Sequence, residues 1–312
     1  MIKEKALKLL VVTPVFNGEE FLEETINSVL DAGVSSMEFV VVNDGSTDGT
    51  SQILQKFKGR IKIIDQPNGG EGNAVNKGFA ALDSEYIMVV SADDLIDKSI
   101  FNKLVKVLDE NPLYAVAYPD WEIIDKNGET ISKIETREFS NKILYEKMKC
   151  LPGPGALIRR SAVKRSNLRD DSYIFIGDFE CWLQIAKEHQ FVRVPEYLAK
   201  WRHHGRNMSI VGRNLQMASE FIRVYKELLS SNFLPSQIKP LVEKGLGTAY
   251  YTAARLVYFD EKVPARKYIL KSFYWNLTLR RDVFSLGYIL AGRRIGIRLT
   301  PILKKVLRNR LP

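Results

Sequence analysis

Four short apolar runs recur in the first hundred residues, each followed by a stretch with helical spacing. That alternation limits the fold more than any other feature. Residues 9–13, 39–43, 61–64 and 86–91 read as strands, rich in β-branched and other apolar residues. Residues 19–31 repeat Phe21, Leu22, Ile26, Val29 and Leu30 at helical spacing, and a second helix carries Ile53, Leu54 and Phe57 behind a Ser46 or Thr47 cap. A third helix is expected over 73–82. Strands that alternate with helices imply a mostly parallel sheet flanked by helices, an α/β fold with right-handed crossovers.

Beyond a helix at 101–108 the pattern changes. Residues 114–118, 122–125 and 130–134 read as a strand and a hairpin with a type I′ turn at Asn127-Gly128. A loop at 151–155, a strand at 156–158, a helix at 179–187 and a strand at 191–194 follow. From about Asn214 the chain reads as helical, with breaks near Pro235, 260–264 and Arg281. The expected division is 1–212 as the α/β domain and 213–312 as a basic helical region.

Charge follows the same division. Of 46 Lys and Arg and 37 Asp and Glu, residues 213–312 hold 19 and 6, a net of +13, which leaves −4 for residues 1–212. Such asymmetry points to an anionic surface, lipid or nucleic acid, or to a solvated helical face. Cys150 and Cys181 form no CxxC or zinc spacing. No uncharged run approaches the ~18–20 residues of a spanning helix, and the start does not read as a signal peptide. A cytoplasmic location is the expectation.

In an open α/β sheet, ligands bind at the C-terminal ends of the strands. Three of the four early strands end there in Thr13-Pro14, in Asn43-Asp44-Gly45-Ser46 and in Ser91-Ala92-Asp93-Asp94. Carboxylates gathered at one edge repel one another unless a cation compensates, and Mg²⁺ or Mn²⁺ takes few carboxylates plus phosphate oxygens. Singly, Asp44 reads as a turn residue and Asp93 or Asp94 as a helix cap; their recurrence at equivalent strand ends is what points to a site. The first βα turn has no GxGxxG, no GxxxxGK[ST] occurs, and no Gly-rich, Arg-containing nucleotidyltransferase loop follows the first strand.

The segments VTPVFNG at 12–18, VNDGSTDGT at 42–50, GEGNAVNKG at 70–78 and SADD at 91–94 resemble, in order and spacing, the family 2 glycosyltransferases with the GT-A fold. The resemblance extends over about residues 8–210 and implies an inverting transferase that uses a nucleotide-sugar donor. It implies that Asp44 contacts the nucleotide base beside Thr13 and Pro14, that Asp93 contacts the ribose, and that Asp94 binds a divalent metal, Mg or Mn. Ser91 stands where the family's metal motif usually has its first Asp. Asn73 and Asn76 help shape the donor pocket or, equally, serve as a cap and a polar helix face.

The family's base belongs to a Glu-Asp pair at a helix start. Here Gly177 stands where Glu is common, so Asp178 is the expected base and Glu180 the alternative; a helix cap is the plain structural reading of Asp178. The segment WRHHGRNMS at 201–209 resembles the family's Arg-x-His stretch, which implies that Arg202 or Arg206 neutralises phosphate and that His204 reaches the metal. The implied donor is a nucleotide-diphosphate sugar, a UDP-sugar first among them. The implied acceptor is a sugar or lipid-linked hydroxyl in surface polysaccharide or glycolipid synthesis.

At the end of the chain, Ile295, Leu299, Ile302, Leu303, Val306 and Leu307 share one face, with Lys304, Lys305, Arg308 and Arg310 around the other. Residues 283–312 carry seven basic groups and no acidic one. This is the pattern of a peripheral helix on an anionic membrane, at the inner face of the cell membrane, or of a helix packed on protein. Two other classes compete with the transferase. One is a non-catalytic protein that keeps the fold and binds nucleotide-sugar; the other is a nucleic-acid binder, and no nucleic-acid partner is expected because no recognition motif is present.

Overall fold

The computed structural model describes residues 8–150, 152–163, 166–208, 215–256 and 265–275. The chain divides into two compact units, Met1–Leu144 with Lys149–Gly212, and Tyr145–Met148 with Arg213–Pro312.

The first unit is built on a nine-stranded sheet. Its parallel half comprises β1 (Leu9–Val15), β2 (Met37–Asp44), β3 (Lys62–Gln66) and β4 (Tyr86–Val89), in the spatial order β3-β2-β1-β4. The central strands are apolar on both faces because helices cover both: Leu9, Leu10, Val11 and Val12 of β1 are fully buried. The edge strand β3 has no buried residue and stays partly exposed along its length.

Helices α1 (Leu22–Asp31), α2 (Thr50–Lys56) and α3 (Glu71–Ala80) are the crossovers, and α4 (Ile100–Glu110) follows β4. Leu22, Ile26, Phe101 and Leu104 join Val11, Val41 and Met88 in one core. The sheet grows from β1 in both directions, to β2 on one side and β4 on the other, so the crevice for a ligand opens at the C-terminal end of β1.

Beyond β4 the sheet is mixed. β5 (Leu95–Ile96), β6 (Tyr114–Ile124), β7 (Thr130–Ile134), β8 (Leu157–Arg159) and β9 (Gln190–Arg202) complete it, with α5 (Gly177–Ile185) before β9. β8 runs antiparallel to β4 and β6, whereas β6 and β9 are parallel. β5 pairs antiparallel with β9, Leu95 opposite Lys200 and Ile96 opposite Ala199. The chain just after Asp94 is thereby tied to the end of β9.

Two local expectations are corrected. Neither Ser46 nor Thr47 caps α2: the Asp48 carboxylate takes the Thr50 N–H at 3.0 Å, while Ser46 Oγ accepts the Asn17 N–H at 2.9 Å. The β6–β7 hairpin forms, but its turn is not type I′, because Gly128 has φ 88° and Asn127 is not among the positive-φ residues. Asp125 Oδ1 takes the N–H groups of Asn127 and Glu129 at 2.8 and 3.0 Å, an Asx arrangement that keeps Asn127 out of the left-handed region.

In the second unit, α6 (Leu215–Ser230), α7 (Lys239–Leu256) and α8 (Ala265–Trp275) are helical, with the break near Pro235 between α6 and α7. Tyr225 donates to the Tyr145 carbonyl at 2.6 Å and Thr248 to the Glu146 carbonyl at 2.7 Å, which holds the 145–148 strap on the helices. Among the described residues no helix is long and apolar enough to cross a membrane. The basic face over 283–312 and the breaks at 260–264 and Arg281 lie outside the described residues.

Candidate active site

The loops at the ends of β1 and β2 are pinned to each other. Asn17 adopts φ 54°, and its Oδ1 accepts the Thr47 N–H at 2.7 Å; Gly18 N–H donates to Thr50 Oγ1 at 2.9 Å. Asn tolerates this backbone where most residues do not. Thr13 is fully buried in β1 and its Oγ1 has no hydrogen-bond partner; Pro14 follows it, half-buried.

Asp44 ends β2, and its carboxylate organises the loop before α3. Oδ1 accepts Gln66 Nε2 at 2.7 Å and the Gly69 N–H at 2.8 Å, and Oδ2 accepts the Gly70 N–H at 2.9 Å. Asn73 joins the same cluster, its Oδ1 accepting Gln66 Nε2 at 2.9 Å. Gly45 is required here: it has φ 75°, and a Cβ would lie 2.7 Å from the Asn68 nitrogen.

Asn76, by contrast, faces another segment. It accepts the Arg169 N–H and donates to the Arg169 carbonyl, both at 2.9 Å, and so clamps that loop onto α3.

After β4 the two adjacent aspartates part company. Asp93 Oδ2 meets His204 Nε2 at 2.8 Å. His204 Nδ1 accepts the Arg206 N–H at 3.3 Å, so Nε2 carries the proton and donates to Asp93. The imidazole also stacks on Phe21, with centroids 5.1 Å apart. Asp94 is 5% exposed, and its Oδ1 accepts the Arg202 N–H at 3.0 Å. Burial, and then the neighbouring Asp93, push its pKa well above the usual carboxylate range, against the opposing pull of Arg202 and Ser91.

Three residues of the 201–209 segment sit differently from what the resemblance implies. Arg202 is fully buried and does not reach out to a phosphate. Its guanidinium bonds the Asp93, Asp125 and Lys126 carbonyls at 2.9, 3.3 and 3.2 Å and Glu24 Oε2 at 2.5 Å, and it lies over the Phe21 ring. A buried guanidinium needs all its donors paired, and these partners cement the Asp93-Asp94 loop. Arg206 is 70% exposed and pairs with Glu20. His204 spends its Nε2–H on Asp93, which leaves it no lone pair for a metal in this arrangement.

Asp94 and Ser91 open on a cavity of about 530 Å³, and so do Asp178, Arg169 and the indoles of Trp121, Trp182 and Trp201. Asp178 lies in the first turn of α5, its Oδ1 accepting the Phe179 N–H at 2.7 Å. Glu180 is 2% exposed and does not line this cavity. Trp121 and Trp201 meet edge to face, and Gly153 packs so closely on Trp121 that a Cβ there would lie 2.5 Å from its Nε1. Arg169 and Trp121 stand in no local sequence pattern that marks them, and Trp182 and Trp201 adjoin marked residues without being assigned a role by them. They come from four separate elements that only the fold brings together.

Among the described residues no group of three His, Cys, Asp or Glu stands ready to hold a metal. The donor set nevertheless suits a hard cation. One buried carboxylate that lacks full compensation, with a hydroxyl beside it, fits Mg²⁺ or Mn²⁺ whose other ligands are water and phosphate oxygens.

The family model described as glycosyl transferase family 2 matches residues 10–166, half of the chain. The chain belongs to this family. An uncharacterized glycosyltransferase of Rickettsia bellii is 25% identical over 81% of this chain, which spans 37% of that relative's length. The poly-beta-1,6-N-acetyl-D-glucosamine synthase of Staphylococcus epidermidis is 29% identical over 48% of this chain and 39% of its own. Among solved structures, S. aureus TarS 1–349 in complex with UDP-GlcNAc matches with TM-score 0.58 and 17% identity, covering 88% of this chain and 92% of that one. The mannosyltransferase PcManGT of Pyrobaculum calidifontis, in complex with GDP-Man and Mn²⁺, matches with TM-score 0.57 and 14% identity over 99% and 89%. These likenesses establish the fold as GT-A.

Proposed function

We propose that the cavity is the reaction chamber of an inverting glycosyltransferase. In this reading a sugar passes from a nucleotide-diphosphate sugar to an acceptor hydroxyl. The observation that carries it is that Asp94, just before β5, and Asp178, at the start of α5, open on one cavity of the family 2 fold. The donors named with the two structural neighbours, UDP-GlcNAc and GDP-Man, support a nucleotide-sugar, and the Staphylococcus epidermidis relative supports a polysaccharide acceptor.

Asp44, Thr13 and Pro14 would seat the base and Asp93 the ribose. Asp94 with Ser91 would hold the divalent metal, which when bound supplies Lewis-acid stabilisation to the departing diphosphate. Asp178 takes the proton from the acceptor hydroxyl as its oxygen attacks the anomeric carbon. The bond to the diphosphate breaks on the far side, so one displacement inverts the centre. A positioned base of this kind contributes about 10²–10⁴ in rate. The indole-lined wall suits the apolar faces of sugar rings and excludes water that would otherwise hydrolyse the donor. The catalytic domain in this reading is 1–212. The basic residues of 283–312 would hold the protein at an anionic membrane surface, beside a lipid-linked or surface acceptor.

The test is a thermal-shift series with UDP, GDP, TDP and CMP, with and without Mn²⁺, followed by donor turnover. Saturation to ~100 Kd stabilises by ~2.7 kcal/mol. A metal-dependent shift is expected with one nucleoside diphosphate, lost in Asp94→Asn and kept in Asp178→Asn, with turnover down at least about 10²-fold in the latter. A wild type that binds no nucleotide, or an Asp178→Asn variant that turns over normally, would refute the assignment.

A further inference from the structure

We propose that Arg169 is the side chain that grips the donor diphosphate in this chain; the inference rests on the transferase reading above. A diphosphate entering a cavity that holds the Asp94 and Asp178 carboxylates meets more negative charge than one divalent metal offsets, and a fixed cation would complete the compensation. The arginines of which the resemblance implies one for this task are occupied elsewhere, Arg202 inside the protein and Arg206 with Glu20 at the surface. Neither lines the cavity.

Arg169 does line it, and it is held from three sides. Its main chain is clamped in both directions by Asn76 of α3, 93 residues earlier in the sequence, with both bonds at 2.9 Å. Its side chain is 14% exposed and rests against Gly177, where an added Cβ would lie 3.6 Å from its Cδ and 3.9 Å from its Nη1. Those are ordinary packing distances, so the start of α5 forms a close wall beside the guanidinium, next to Asp178. Its single ion pair among the described residues is with Glu71, a 3.5 Å contact from Nη1 to a carboxylate that is 45% exposed.

Burial works against the charge on Arg169, but Glu71 and Asp178 outweigh it and keep the guanidinium's pKa above its ordinary value. A loosely paired, pre-positioned guanidinium suits the planar, two-point recognition of phosphate oxygens. Glu71, half out in solvent, is the ion that phosphate displaces. The other cavity cations, Arg137 and Lys149, lie on exposed positions: the Arg137 carbonyl accepts the Tyr118 hydroxyl at 2.6 Å and the Lys149 N–H donates to the Ile143 carbonyl at 3.2 Å, but neither residue is sheltered as Arg169 is.

The experiment is calorimetry on the full chain with UDP or GDP, whichever stabilises the wild type, compared with the matching nucleoside. Arg169→Gln should weaken the diphosphate about tenfold or more, as loss of a charge-assisted pair does, and leave nucleoside affinity within about twofold. Arg169→Lys should fall between. Glu71→Gln should tighten the diphosphate by about two- to threefold, because the phosphate no longer competes with a carboxylate. A merely structural Arg169 would lose nucleoside and diphosphate together and gain nothing from Glu71→Gln. Equal losses, or an undiminished diphosphate affinity in Arg169→Gln, overturn the inference and leave the transferase standing. A wild type that binds neither diphosphate overturns both.

Discussion

Asp94 is a carboxylate kept from water before any cation arrives, and this makes its charge measurable in the metal-free protein. An unfolded Asp titrates near 3.8, whereas burial and Asp93 raise Asp94 well above that in the fold. The folded state therefore holds this proton more tightly. Its contribution to stability is full below the unfolded value and is lost as pH rises through the raised one. Asp94→Asn keeps the acceptor for the Arg202 N–H and removes the charge. In urea melts without metal the variant should exceed the wild type by roughly 1–3 kcal/mol at alkaline pH. The two should converge only as the pH falls below the unfolded value of 3.8, where Asp94 is protonated in both states. A variant no more stable at alkaline pH would show that the fold already compensates the carboxylate. The strand-end aspartates were legible in the sequence because position in an α/β sheet is set by local alternation. The burial of Arg202 was not, since its partners lie 76 to 178 residues away. An Arg beside two His reads locally as surface.

Elements position the site through close approaches that composition does not reveal. Helix α3 lies against β1 because Gly78 has no side chain: a Cβ there would sit 2.4 Å from Cγ1 of Val12. Val12 is fully buried in a central strand and cannot yield. Gly78→Ala should thus cost about 1–3 kcal/mol from overpacking, although Ala is the better helix former by about 1 kcal/mol. Its displacement of α3 should also loosen the Asn76 clamp on Arg169. Denaturant melts measure the first effect, and faster proteolysis of the 166–171 loop reports the second. A more stable Gly78→Ala would show that propensity outweighs the contact. The parallel strands β1, β2 and β4 were readable because strands buried on both faces are nearly all apolar, and the edge strand β3 through its short apolar run at 61–64. The length of β9 was not: Pro195, Glu196 and Tyr197 are exposed in succession where the register against β6 shifts, and only pairing with β6 reveals one continuous strand. The two-residue β5 carries too few positions to show any period.

At the scale of the whole molecule, charge separates what the sheet does from what the tail can do. Residues 1–212 carry a net −4 and residues 213–312 a net +13, so any attraction to an anionic surface must come from the latter. Two mechanisms predict different outcomes. Diffuse attraction depends on charge count alone, and 12 of the 19 basic groups would survive deletion of 283–312. An interfacial helix needs the apolar face as well, with each basic residue adding about 1 kcal/mol near the surface. Co-sedimentation with vesicles containing phosphatidylserine should therefore retain the full chain at low salt and release it at high salt, while neutral vesicles leave it in solution. The double variant Leu303→Gln, Leu307→Gln keeps every charge yet should lose most of this binding, as deletion of 283–312 does. If the double variant binds as the wild type does, the apolar face is not inserted and the tail acts as a diffuse positive charge. If the deletion also binds fully, the attraction resides in 213–282, and the membrane assignment for the last thirty residues falls.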